Sequence, residues 1–180
     1  DTSKEDVKKK SLKENTDWEI IKQLRDGLKL VRLITSTAKD VEGEVMGHCV
    51  GNDLYEKEDI YSIWDNKNRS HVTFESNDGT KTIKQIKGKG NAAPVEKYIP
   101  ATIEATCDFI LNGYKILADG ENIDMVKYEN EYHFDNLNVI PEKYRNKAIL
   151  RQWVDKIYPT VIFPKQQKAF ADLQARIVEV

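Results

Sequence analysis

Hydrophobic residues follow two spacings along this chain, one typical of strands and one typical of helices. Between residues 71 and 75 apolar and polar positions alternate, and the turn sequence Asn77-Asp78-Gly79 separates this stretch from residues 82–87. Alternation places successive side chains on opposite faces of a sheet, and Asp-Gly is a strong hairpin signal. The pattern therefore predicts an antiparallel hairpin of residues 71–75 and 82–87, preceded by a strand over residues 60–65.

The first strand of this hairpin has a predicted inner and outer face. Simple alternation puts Val72 and Phe74 on one face and His71, Thr73 and Glu75 on the other. Two further strands, residues 18–24 and 28–34, are predicted to meet at an Asp-Gly turn.

Apolar residues at helical spacing predict helices that pack against the sheet. Ser36 or Thr37 is expected to cap a helix whose apolar face includes Val41, Val45 and Cys49. Pro100 is typical of a first helical position, and it precedes a second apolar stripe that contains Cys107. After a loop with a short extended piece near residues 132–134, helices are predicted over 141–158 and 164–178, interrupted at Pro159.

These elements predict an α+β fold in which helices pack a small antiparallel sheet and a helical extension follows at the C-terminal end. Residues 1–16 are polar and rich in Lys and Glu, so we expect a flexible segment there, either a frayed helix or a disordered lead-in. Residues 17–118 form the predicted α+β domain, and residues 119–180 form the mainly helical extension. The chain starts at Asp1, and we expect it to be a processed product or a fragment.

Composition and charge exclude several classes of function. The 180 residues are 39% hydrophobic and 32% charged, which is typical of a soluble globular protein. No apolar run approaches the length of a membrane span, so no membrane partner is expected. A net charge of -2 provides no global attraction for nucleic acid. The two cysteines are expected to be reduced thiols of an intracellular protein.

The most informative candidate chemistry surrounds Cys49. A thiol nucleophile needs a base, which His71 could provide, and an orienting or oxyanion group, which Gln85 or Asn91 could provide. Papain-like and transglutaminase-like enzymes use this order of residues. Against this hypothesis, Cys49 follows the apolar helical face and lies near the end of its helix, where the dipole does not lower a thiol pKa.

Other candidate sites are less specific. His48, Cys49 and His71 lack a fourth ligand for zinc, so we expect neither a metal nor another cofactor. The lysine run, Lys81, Lys84, Lys87 and Lys89, leads into the glycines at 88 and 90. Lys84, Lys87 and Lys89, together with His48, are candidates for binding phosphate or nucleic acid. Lysines also protect edge strands, and we favour that interpretation. The pair Glu42 and Glu44 is most simply a solvated helix face.

Several of these segments together resemble PcfJ-like proteins, a family encoded by conjugative plasmids, phages and other mobile elements. In chain order the segments are Leu30-Val31-Arg32-Leu33, Glu42-Gly43, Met46-Gly47-His48-Cys49-Val50-Gly51, Ile60-Tyr61-Ser62-Ile63, His71-Val72-Thr73-Phe74-Glu75 and Gln85-Ile86-Lys87-Gly88-Lys89-Gly90-Asn91. The resemblance covers roughly residues 28–112. This sequence departs from the family at Trp64, where a basic residue is expected before the aspartate. The resemblance implies a phage or plasmid origin, and with it a location in the host cytoplasm or in association with a virion.

Three hypotheses of function follow, in order of preference. The first is a non-enzymatic structural and interaction module that assembles with other phage or mobile-element proteins. The second is a cysteine-dependent acyl-transfer enzyme that uses Cys49 and His71. The third is phosphate or nucleic-acid binding through the lysine run.

Overall fold

A computed structural model describes residues 2–48 and 57–179 of this protein. Six strands form the central sheet: β1 (Trp18–Gln23), β2 (Lys29–Leu33), β3 (Asp59–Trp64), β4 (Ser70–Asn77), β5 (Thr82–Lys87) and β6 (Lys115–Ile116). They lie in chain order across the sheet, and every neighbouring pair is antiparallel except β5 and β6. The predicted hairpin is confirmed, because β4 pairs with β5 and places Phe74 opposite Ile86.

Helices cover both faces of this sheet, which confirms the predicted α+β class. On one face lie α1 (Thr2–Lys10) and α2 (Ser36–Met46), and on the other lies α3 (Ile99–Leu111). The long C-terminal helix α4 (Tyr158–Glu179) is largely exposed. Thr35 caps α2, one residue before the predicted cap, because its side chain accepts a hydrogen bond from the backbone N–H of Ala38. Pro100 lies in the first turn of α3, as predicted.

Two hydrophobic cores lie on opposite faces of the sheet. Consecutive residues of β2 show this, because Leu30 belongs to the core under α3 and Val31 belongs to the core under α2. The α3 core is the larger and contains Phe74, Phe109 and the fully buried Cys107. Burial, with the nearby charges of acidic residues as a smaller contribution, raises the pKa of the Cys107 thiol to about 12.

Strand β4 carries one extra residue at its start. Ile63 of β3 pairs with Val72, but the next residue, Trp64, pairs with Ser70, so His71 is the additional residue of a β-bulge. A bulge reverses the alternation of side chains between the two faces from that point on.

The bulge separates side chains that simple alternation would put together. Ser70 and Thr73 both contact Glu42 of α2 on one face. His71 stacks on Tyr98, which packs against the core on the other face. The prediction that His71 shares a face with Thr73 is therefore wrong.

The N-terminal segment also differs from its prediction. Residues predicted to be flexible form α1, in which Glu5 and Lys9 are buried while the apolar Val7 is exposed. Leu12, just after the helix, joins the smaller core. Hydrophobic spacing does not reveal this helix, because charged side chains attach it to the sheet.

The segment after residue 118 is less helical than predicted. A hairpin of β7 (Met125–Tyr128) and β8 (Glu131–Phe134) and several short 3-10 turns precede α4. Their apolar residues, among them Ile123, Phe134 and Leu150, extend the α3 core. Residues 119–151 are therefore continuous with the domain rather than a separate extension.

The helix does not stop at Pro159. A π-helical turn, Trp153–Ile157, leads directly into α4, and Pro159 is the second residue of α4. Proline removes a backbone donor and clashes with the carbonyl four residues earlier in a regular helix. That carbonyl belongs to Asp155, inside the wider π turn, where the strain is accommodated. Within the described residues, no helix is both long enough and apolar enough to cross a membrane.

Substituting Cys107→Ser should lower the free energy of unfolding, because the new hydroxyl enters a fully buried apolar site. The expected cost is about 1–3 kcal/mol, toward the lower value if the hydroxyl bonds to a helix carbonyl. Urea unfolding measures it, with Ala171→Ser on the exposed part of α4 as the control. If Cys107→Ser and the parent had equal free energies of unfolding, position 107 would accept a hydroxyl group without cost, contrary to this prediction.

Candidate functional site

His71 is held in one orientation by two neighbours. Its Nε2 lies 2.9 Å from Oδ2 of Asp65, and its ring stacks on Tyr98 with centroids 4.0 Å apart and planes 15° apart. The β-bulge provides this position, because it turns His71 toward the start of α3. An imidazole oriented by a carboxylate is the arrangement found in general bases.

Asp65 is fixed by the turn between β3 and β4. Its Oδ1 accepts hydrogen bonds from the backbone N–H groups of Lys67, at 2.8 Å, and Arg69, at 3.0 Å. Burial by itself raises the pKa of Asp65, but the hydrogen bonds from His71 and these N–H groups outweigh it. The pKa of Asp65 is therefore lowered.

A cavity of about 300 Å³ lies beside this pair. Its lining residues are Asp26, Leu28, Asp65, Asn66, Lys97 and Tyr98. The two side chains that orient His71 thus form part of the cavity wall. The lining combines polar and apolar surface in similar amounts and carries both signs of charge, which suits a small polar molecule.

His48 and Asn91 meet at the same end of the sheet. Nδ1 of His48 donates to Oδ1 of Asn91 over 2.7 Å. Gly47 ends α2 in the left-handed conformation, and a Cβ there would lie 3.6 Å from the backbone of Gly90. The structure therefore brings together two segments that are about forty residues apart in the sequence.

The rest of the predicted catalytic set is not assembled around His71. Cys49, the proposed nucleophile, lies outside the described residues. Gln85 is exposed and pairs with Glu75, four residues along β4 from His71. At about 3.3 Å per residue that separation is roughly 13 Å, so Gln85 does not orient the imidazole.

Lysines of the predicted basic run contact different partners. Nζ of Lys84 is 2.7 Å from Glu58, Nζ of Lys87 is 2.9 Å from Asp119, and Nζ of Lys81 donates to the carbonyl of Asn112. Lys89 is exposed in the 3-10 turn Lys89–Asn91. Two of the four ammonium groups are thus already paired with carboxylates, which weakens the run as a phosphate surface.

The sequence interpretation missed a buried polar cluster around Glu42. Glu44 is exposed, as predicted, but Glu42 has no exposed surface, and the prediction of a solvated face is wrong for it. A signal was present in the sequence, because Ala38, Glu42 and Met46 are four residues apart and share one helix face. Ala38 and Met46 are both buried.

Among the described residues, no group of three or more His, Cys, Asp or Glu is placed to hold a metal ion. Comparisons with protein-family models, with curated proteins and with solved structures find no match for this chain. The resemblance to PcfJ-like proteins therefore stays a prediction, and the function must be argued from the geometry.

Asp65→Asn should destabilise the protein at neutral pH by about 1–2 kcal/mol, because a charged acceptor of several hydrogen bonds is lost. Since the pKa of Asp65 is lowered in the fold, its charge contributes stability above the unfolded value of about 3.9. That contribution disappears as the pH falls through the lower folded value. The difference between variant and parent should therefore narrow in acid.

Urea unfolding at neutral pH and in acid measures this difference. Asp26→Asn is the matched control, because Asp26 lines the same cavity but is exposed and accepts no comparable set of bonds. A difference that is constant with pH would contradict the assigned role of the Asp65 charge.

Proposed function

We propose that this chain is a non-enzymatic structural and interaction module of a phage or mobile-element protein, and that α4 is the element through which it assembles. The observation that carries the proposal is the exposed apolar surface of this helix. Five of its large apolar residues expose more than half of their surface, and one of them is Val178. The other four, Phe163, Phe170, Leu173 and Ile177, are here called the α4 stripe.

The spacing of the α4 stripe favours packing against another helix. Phe163, Phe170 and Ile177 are seven residues apart, and Leu173 lies three residues after Phe170. These are the a and d positions of a heptad, which allow two helices to interlock their side chains. The 22 residues span about 33 Å, and a helix whose apolar side faces water depends on a partner for most of its stability.

A second copy of this chain is the partner that the stripe suits best. Heptad surfaces are self-complementary, and two copies related by a two-fold axis would each bury the same four side chains. Contiguous exposed apolar surface is typical of protein interfaces. Assembly through α4 would leave the sheet and its cavity accessible.

The alternative of a cysteine-dependent acyl-transfer enzyme is supported by the orientation of His71 alone. Asp65 and Tyr98 hold its ring as a general base requires, beside a cavity. Its proposed nucleophile, Cys49, is not among the described residues. The nucleic-acid alternative is less favoured, because Lys84 and Lys87 already pair with Glu58 and Asp119.

Sedimentation of the full chain tests the role of α4. We expect a dimer in the micromolar range, and Phe170→Asp should shift it to monomer because a carboxylate would enter the apolar contact. Ala175→Asp is the matched control, since it adds the same charge about 140° around the helix. A parent chain that stays monomeric at every concentration would overturn the assignment of α4.

Alkylation by iodoacetamide separates the module from the enzyme. A module predicts that Cys49 and Cys107 both react without any dependence on His71. His71→Gln is the informative variant, because its amide still provides an N–H donor for Asp65 but is not a base. Fast alkylation of Cys49 that slows in His71→Gln would favour the enzyme instead.

A further inference from the structure

Four side chains of the folded domain form a buried polar cluster between α2 and the sheet. Oε1 of Glu42 accepts a hydrogen bond from Oγ of Ser70 at 2.5 Å, and Oε2 accepts one from Oγ1 of Thr73 at 2.7 Å. The indole N–H of Trp64 lies 3.4 Å from the same carboxylate. Because α2, β3 and β4 supply all four residues, this pocket is built without any contribution from α1.

Lys9 of α1 inserts its ammonium group into this pocket. Nζ donates to Oγ of Ser70 at 2.7 Å, lies 3.7 Å from Oε1 of Glu42 and sits 3.4 Å above the centre of the Trp64 ring. A carboxylate, a hydroxyl and an aromatic face are the three kinds of group that bind an ammonium ion best. Only 4% of the Lys9 side chain is exposed.

The buried carboxylate of Glu42 requires a positive charge beside it in this pocket. Desolvation lowers the pKa of Lys9, while the charges of Glu42 and Glu5 oppose that change. The carboxylate of Glu42 is itself fully buried, and a buried carboxylate without a cation is strongly destabilising.

The contacts of the rest of α1 are also polar. Glu5 accepts a hydrogen bond from the backbone N–H of Ser70 at 2.8 Å, and Asp6 binds Arg69 through two hydrogen bonds of 3.2 Å. Lys8 pairs with Glu44. These contacts orient the helix, and Glu5 is buried as well, but only Lys9 enters the pocket beside Glu42 and Trp64.

We propose that Glu42, Ser70 and Trp64 form a binding site for primary alkylammonium groups, the class to which the lysyl side chain belongs, and that Lys9 is its occupant within the chain. The site is assembled by the sheet and α2, and its ligand is delivered by a short polar helix. Val7, the large apolar residue of α1, is exposed, so the helix itself docks through charged and polar side chains, among which Lys9 is the one that enters the pocket. A nine-residue helix is marginal alone in water, so α1 is an exchangeable ligand.

Chemical rescue tests this proposal on the full chain. Lys9→Ala removes the atoms beyond Cβ, which correspond to n-propylammonium, and leaves the Glu42 carboxylate without its cation. Added n-propylammonium should restore stability, raising the ratio of folded to unfolded protein about elevenfold at ten times its dissociation constant. Thermal unfolding, with the fluorescence of Trp64 and the other tryptophans, follows this change.

Two controls make the rescue specific. Propan-1-ol has the same carbon chain without the charge and should not rescue Lys9→Ala. Lys8→Ala loses an exposed ion pair with Glu44 and should gain nothing from n-propylammonium. The proposal is overturned if n-propylammonium has no effect on Lys9→Ala, or if it stabilises Lys8→Ala equally.

A second measurement applies if Lys9→Ala does not fold. In the unaltered chain, n-propylammonium competes with Lys9, so amide exchange in α1 should accelerate while exchange in β3 and β4 stays unchanged. Sodium at the same ionic strength controls for screening of the exposed ion pairs. Exchange in α1 that is the same in both salts would overturn the proposal.

Discussion

The one extra residue at the start of β4 determines which chemistry each face of the sheet carries. The bulge opposite Trp64 puts His71 on the α3 side together with its neighbour Val72, and it returns Ser70 to the α2 side together with Thr73. Without it, the alternation of β4 would carry His71 to the Glu42 side. The oriented imidazole and the ammonium pocket therefore both depend on a single backbone irregularity.

The ammonium pocket also explains how a polar N-terminal helix becomes part of the fold. Buried ion pairs rarely add net stability, because desolvation of both charges offsets their attraction. Their effect is to impose one arrangement, since a misplaced α1 would leave the Glu42 carboxylate buried without a cation. The stacking of Lys9 on Trp64 and its hydrogen bond to Ser70 select the same position of the helix. Charged contacts therefore fix the position of α1 on the sheet, whereas hydrophobic packing fixes the position of α3.

The two ends of the molecule present different surfaces for function. The sheet end collects the His71–Asp65 pair, its small cavity and the contact of His48 with Asn91. The α4 end presents apolar side chains without a comparable polar site among its described residues. An assembly role for α4 and a binding role for the sheet end are therefore compatible, because they use separate parts of the fold.

The sequence by itself determined the elements whose signals are local. Alternation and the Asp-Gly turn gave the hairpin of β4 and β5, and helical spacing placed Cys107 in the core, because both signals depend only on near neighbours. Tertiary structure decided the rest. Only packing shows that Lys9 is buried beside Glu42 and that residues 2–10 dock on the α2 side of the sheet. Only packing shows that a bulge turns His71 to the α3 side. Each of these three features depends on a residue more than twenty positions away in the sequence or on strand register. Local periodicity encodes neither distant contacts nor register.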